Sequence, residues 1–211
     1  MLLDMHNTTS NMGISLVLTS SSDHLTLHMA QFLQRKLHPI PCNFLLIEHP
    51  TLTYFHVRRV MKHGISIEIG PQPQGVARAD ITDHMRRSVA YCLDFMHKFN
   101  SGMELPASTL DVHRIDRYID YPRDGDGHIT AIIHPAFQDR DWQLLHPGTP
   151  IFVSLSGEAI AFEGQETVFP VFINEAAYYE KKIAFWITKR ETLNVEPLRV
   201  EDGPHKECTS T

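Results

Sequence analysis

The clearest chemical signal in the chain is Glu68, a single acid inside the apolar run 64–69, followed by the loop Gly70-Pro71-Gln72-Pro73-Gln74-Gly75. A carboxylate in an apolar strand costs free energy unless its charge is used. Glu68 is therefore the leading general-base candidate, the plain alternative being an acid paired with an arginine at a strand's solvent end. His6 closes the first apolar run, and Asp4, two residues earlier, shares its strand face. An imidazole there could ligate a metal with Asp4 orienting it, although among 14 histidines a core or surface role is the commoner fate. Tyr54 and Arg58 stand four residues apart, one face of a helix if the segment is helical. A phenol beside a forked guanidinium suits a carboxylate, and a solvated helix face equally well. Residues 174–180, with Glu175 and Tyr178, read on their own as a loop or helix start.

These groups need elements to hold them. Apolar runs at 1–6, 12–19, 41–48 and 64–69 read as strands, the first as a buried one. Ser20-Ser21-Ser22-Asp23 supplies N-cap residues for a helix carrying Leu25, Leu27, Met29, Phe32, Leu33 and Leu37. A second helix runs from about 79 to 99, with Ile81, Met85, Val89, Leu93, Met96 and Phe99 on one stripe. Strand and helix alternate to this point, which is the pattern of an α/β layer. After Asn100-Ser101-Gly102 the text changes to short strands and turns. We expect a first domain over 1–102, a β-rich second domain over 103–203 and a disordered tail over 204–211. The stretch Asp124-Gly125-Asp126-Gly127 lacks the later ligands of a calcium loop and reads as a hairpin turn.

Composition narrows the function. A formal charge of -6 with no Lys/Arg cluster gives no basis for nucleic-acid binding. No stretch approaches 18 apolar residues. Cys42, Cys92 and Cys208 form neither a disulfide framework nor a C-x-x-C pair, so we expect a reducing, cytosolic setting.

Taken together, three segments are specific. Asp4-Met5-His6-Asn7-Thr8-Thr9-Ser10-Asn11-Met12-Gly13, the stretch 64–75 around Glu68, and Asn174-Glu175-Ala176-Ala177-Tyr178-Tyr179-Glu180-Lys181-Lys182 resemble the aspartoacylase / aminoacylase-3 family of zinc amidohydrolases, in order and with compatible spacing. Residues 46–50 and 120–124 support the match. The resemblance implies a zinc-carboxypeptidase-like α/β domain followed by a β-rich domain that narrows the active-site mouth. It implies His6 as one zinc ligand, Glu68 as the acid/base acting on a zinc-bound water, and Tyr54, Arg58 and Tyr178 as substrate-binding groups beside Glu68. Arg58 is then the group for a substrate carboxylate, and Glu175 is carried only as a supporting group. The implied cofactor is one Zn2+ per subunit, and the implied substrate is N-acetylaspartate. Within the family, the aminoacylase-3 branch acts instead on N-acyl aromatic amino acids. A homodimer and a cytoplasmic, also nuclear, location follow from the same resemblance.

The family also carries an H-x-x-E motif holding its first two zinc ligands, and none occurs in these 211 residues. A catalytic zinc takes three protein ligands. The expectation is that sequence upstream of Met1 is missing, and a non-catalytic product lacking those ligands is the other open reading. A hydrolase rebuilt around His113 and Asp116 is a remote third.

Overall fold

The computed structural model describes residues 1–48 and 61–199. The order of elements is β1 (Leu2–Asn7), β2 (Ile14–Leu18), α1 (His24–Leu37), β3 (Cys42–Leu46), β4 (Gly64–Ile69), α2 (Ala79–Asn100), β5 (Ser108–Ile119), β6 (Ala131–Ile133), β7 (Pro150–Ser154), β8 (Ala159–Ala161), β9 (Phe169–Val171) and β10 (Phe185–Val195). Ten strands form a seven-stranded sheet, β1-β4-β2-β3-β5-β10-β9, and a three-stranded sheet, β6-β7-β8. The large sheet takes strands from both halves of the chain. β1 with β4, β2 with β3 and β3 with β5 run parallel, and β2 with β4 antiparallel.

Alternation along the strands divides labour between the two faces of the sheet. Ile14, Leu16 and Leu18 of β2, Phe44 and Leu46 of β3, and Ile65, Ile67 and Ile69 of β4 join one core cluster with residues of α1 and α2. Asp23 caps α1 by accepting from the Thr26 N–H, as an N-cap acid should. From there Leu27, Ala30, Leu33 and Leu37 keep the helical period of a buried stripe. The opposite face carries Val17, Leu45 and Ile115, packed with Met12, Phe172 and Trp186. Asp4, His6, Ser66 and Glu68 lie on this second face by the same parity.

The first apolar run is half-buried, as a strand with an incomplete sheet beside it should be: among the described residues β1 is an edge strand, pairs with β4, and ends in two exposed residues. One expectation is corrected: the β-rich half is more than a set of short strands. β5 and β10, of 12 and 11 residues, pair antiparallel along nearly their full length, with a register shift between Ile187 and Thr188. β5 meets β3 only at Leu45↔His113 and Leu46↔Arg114. Arg114 of β5 bonds to both sides, donating to the Glu48 carbonyl just past β3 at 3.0 Å and to Glu191 Oε1 of β10 at 2.7 Å. Segment 123–129 is the turn expected there, with Asp124 Oδ1 accepting from Asp126 N–H and His128 N–H. The expected tail over 204–211, with Cys208, lies outside the described residues.

Candidate active site

The register of β1 against β4 builds the site. His6 pairs with Glu68 and Asp4 with Ser66, so four polar side chains occupy a two-by-two grid on one face of adjacent strands. Its inner bonds are formed: His6 Nε2 lies 2.9 Å from Asp4 Oδ1, and Ser66 Oγ donates to Asp4 Oδ2 at 2.9 Å. Asp4 thus fixes the imidazole, leaving Nδ1 as the ring nitrogen open to a ligand. Ser66 escaped the sequence reading, although its place two residues before Glu68 puts it on the same face.

The grid forms the polar wall of a cavity of about 140 Å3. Val17, Leu45 and Ile115 continue the lining along the same sheet face, and Phe172, Tyr178 and Trp186 complete it. Among the residues implied by the resemblance, the structure brings His6, Glu68 and Tyr178 together here; Tyr54 and Arg58 lie outside the described residues. Tyr178 sits in an aromatic group, its ring centroid 5.3 Å from Phe172 and 6.2 Å from Trp186, with Lys181 Nζ 5.2 Å from its ring.

Burial pushes the Glu68 carboxyl up to about 7; His6 opposes this, while Glu175 and Asp4 add to it. Among the described residues no hydrogen bond holds the Glu68 carboxyl, so burial and neighbouring charge set where it titrates. That is where a group must titrate to take a proton and return it at physiological pH.

Glu175 has a larger structural part than the sequence suggested. Its side chain reaches from the second half of the chain into the loop that follows His6. Oε2 accepts from Thr9 N–H at 2.8 Å, Ser10 N–H at 3.0 Å, Ser10 Oγ at 3.1 Å, and the hydroxyls of Thr8 and Thr9. Oε1 accepts from Ala177 N–H at 3.2 Å, and Thr9 Oγ1 accepts from Ala176 N–H at 3.0 Å. Burial pushes the Glu175 carboxyl up, yet these bonds from Thr8, Ser10 and Ala177 win and hold it below the usual range. The latch joins the His6 strand to the turn carrying Tyr178. Gly70 packs against the same loop. A Cβ there would stand 2.5 Å from the Thr8 carbonyl oxygen and 2.6 Å from that of Ser10, so only glycine allows the approach.

His113, the other histidine weighed in the sequence, lies among aromatic rings of the β-rich half. Its ring makes edge contacts with Trp142 and Phe169, and desolvation pushes its pKa down to about 4. The chain's family is legible once this geometry is in view. An α/β layer whose sheet runs on into a β-rich lobe is the fold class of zinc-carboxypeptidase-like hydrolases with an appended domain. Residues 1–96 match the succinylglutamate desuccinylase/aspartoacylase catalytic domain and residues 108–190 the AstE/AspA barrel-sandwich hybrid domain, and the chain belongs to that family. It is 50% identical over 196 residues to aspartoacylase of Rattus norvegicus, covering 93% of this chain and 63% of that protein. It is 48% identical over 202 residues to the N-acyl-aromatic-L-amino acid amidohydrolase (carboxylate-forming) of Xenopus tropicalis, covering 95% and 65%. The crystal structure of murine aminoacylase 3 superposes with a TM-score of 0.90 at 45% identity, over 94% of this chain and 65% of that one. The chain thus spans less than two thirds of the length of these relatives.

Proposed function

We propose that this protein is a zinc-dependent amidohydrolase that deacetylates N-acetylaspartate to aspartate and acetate. The observation that carries the reading is the grid of Asp4, His6, Ser66 and Glu68 lining one cavity with Tyr178. The donor set fits zinc as part of a site. His6 offers Nδ1 with its other nitrogen already on a carboxylate, the arrangement metal-ligating histidines favour, while the remaining ligands of a three-ligand centre are not met at this cavity among the described residues. Zinc bound there supplies Lewis acidity and a more acidic water. Glu68, its carboxyl pushed up to about 7, takes the proton from the attacking water and passes it to the leaving amine. Tyr178 and its aromatic neighbours complete the lining and exclude water from the acyl group. By the family resemblance, Arg58 binds the substrate carboxylate and Tyr54 also binds the substrate. We assign the first domain to 1–102 and the β-rich one to 103–203, with a homodimeric assembly and a cytoplasmic, also nuclear, location.

A second reading has its own support: the similarity to an N-acyl-aromatic-L-amino acid amidohydrolase is almost as high as to aspartoacylase, and the cavity has a strongly apolar wall. The two readings separate on Arg58, whose fork suits a second carboxylate and has no use for an aromatic ring edge. The test is zinc content per folded protomer with hydrolysis of N-acetylaspartate against N-acetyltyrosine. Zinc near one, lost in His6→Ala, with N-acetylaspartate preferred and that preference lost in Arg58→Ala, supports the first reading. Preference for N-acetyltyrosine supports the second, and the absence of bound zinc refutes both for this chain.

A further inference from the structure

Asp141 is a buried acid that the proposed chemistry does not use. It is 6% exposed and lies where three loops converge. These are the loop after His6, the segment 138–142, and the segment 172–178 that ends at Tyr178. Oδ1 accepts the Ile173 N–H at 3.0 Å, while Oδ2 is buried with no hydrogen-bond partner among the described residues. The backbone N–H groups of Asn11 and of Asp141 itself also bear on this carboxyl, and a carboxylate buried with one oxygen unpaired needs a reason.

Ile173 supplies the reason. The residues on both sides of it have left-handed backbones, Phe172 at φ 55° and Asn174 at φ 56°, and an aromatic residue adopts that conformation only when its surroundings impose it. Phe172 lines the cavity with His6 and meets Tyr178 edge-on. Beyond Asn174 come Glu175, latched to the His6 loop, and then Tyr178 itself. The ends of the turn are fixed independently: Phe172 N–H donates to Met12 Sδ at 3.2 Å, and Asn174 accepts from Tyr121 Oη at 2.7 Å and donates through Nδ2 to Gln138 Oε1 at 3.2 Å. The middle amide is held by the Asp141 carboxylate. Segment 138–142 is itself tied to the His6 loop, with Asn11 Nδ2 donating to the Asp139 carbonyl at 3.0 Å and Trp142 Nε1 to the Met12 carbonyl at 2.9 Å. Asp141 thus transmits the position of the first-half loop to the residues that close the cavity.

We propose that Asp141 is a positioning residue for the candidate active site, holding the left-handed Phe172–Ile173–Asn174 turn so that Phe172 and Tyr178 face His6 and Glu68. This role presupposes that the cavity takes the substrate, but hydrogen exchange needs no turnover, so failure of hydrolysis and failure of positioning are seen separately. The experiment is amide hydrogen exchange followed by mass spectrometry on the 211-residue chain and its Asp141→Ala and Asp141→Asn variants. Asparagine keeps a carbonyl oxygen for the Ile173 N–H; alanine keeps nothing. In Asp141→Ala the amides of 172–178 should exchange about tenfold or more faster, because the buried Ile173 N–H loses its acceptor, with β2 and β4 unchanged. In Asp141→Asn the same amides should return to within about threefold of the parent. Unchanged exchange of 172–178 in Asp141→Ala would overturn the proposal. So would an equal loss of protection in β2 and β4, or Asp141→Asn behaving like Asp141→Ala, since either marks general destabilisation in place of local positioning.

Discussion

Replacing Glu175 by alanine removes one side chain and releases two loops at once. Oε2 accepts two backbone N–H groups, those of Thr9 and Ser10, and hydroxyls of Thr8, Thr9 and Ser10; Oε1 accepts the Ala177 N–H. Ser10 is 1% and Thr8 2% exposed, and Glu175 itself 6%, so water reaches the orphaned donors poorly. Each bond to a charged acceptor contributes about 1.5–3 kcal/mol, and each buried donor left unpaired costs about 1–3 kcal/mol. Sharing five donors on one oxygen makes the sum far from additive, and rearranged hydroxyls recover part of it. A loss of about 3–5 kcal/mol remains, a large fraction of a total stability of about 5–15 kcal/mol. Glu175→Gln preserves the shape but turns an NH2 toward one set of N–H donors, so about half that loss is expected.

The assay is urea unfolding at pH 7 of parent, Glu175→Gln and Glu175→Ala. The midpoint should fall in that order, at unchanged slope. A pH series adds a second check. The folded-state carboxyl lies below its ordinary value of 4.5. The Glu175 contribution is therefore fully present above the unfolded-state value and lost as pH falls through the folded one. The gap between parent and Glu175→Gln should close as pH drops below about 4.5. A Glu175→Ala unfolding free energy within about 0.5 kcal/mol of the parent would refute the latch.

Gly70→Ala should cost about 1–3 kcal/mol, because its Cβ meets the Thr8 and Ser10 carbonyl oxygens at 2.5 and 2.6 Å; thermal unfolding checks it, and an unshifted midpoint counts against the close approach. Burial pushes the Asp141 carboxyl up from 3.8 to about 7. A raised folded-state value in an acid means stability falls as pH rises from about 4 through 7. Asp141→Asn should therefore gain on the parent by roughly 2–4 kcal/mol between pH 4 and pH 8, measured by urea unfolding at both. Arg114→Ala should cost about 1–2 kcal/mol, since it unpairs Glu191 of β10 and frees the Glu48 carbonyl just past β3; a double-mutant cycle with Glu191→Ala that returns no coupling would contradict the first of these contacts.

The first half of the fold was written plainly in the sequence because its signals are local. Asp23 ahead of a 3.6-period stripe fixed the start of α1, and the apolar runs fixed β2, β3 and β4. The pairing of His6 with Glu68 was not readable. It arises from the strand order β1-β4-β2-β3, a long-range choice that no single segment encodes. The half-buried state of β1 follows from the same order, which leaves it at the sheet edge. β10 was missed because Lys189, Arg190, Glu191 and Asn194 interrupt its apolar pattern; its pairing with β5 along nearly its whole length holds those polar residues in a strand. Asp141 gave no signal at all, since an acid between Arg140 and Trp142 looks like any loop residue until Ile173 closes over it.

The central claim is that Glu68, set beside His6, moves the proton in N-acyl amide hydrolysis. The direct measurement is acetate release from N-acetylaspartate by the zinc-loaded protein and by Glu68→Gln, which keeps the size of the side chain and removes its basicity. The expected result is turnover by the parent and a fall of about 10²–10⁴-fold in kcat for the variant, with zinc content unchanged. Turnover by Glu68→Gln equal to the parent, or zinc-loaded parent that releases no acetate from any N-acyl amino acid, would contradict it.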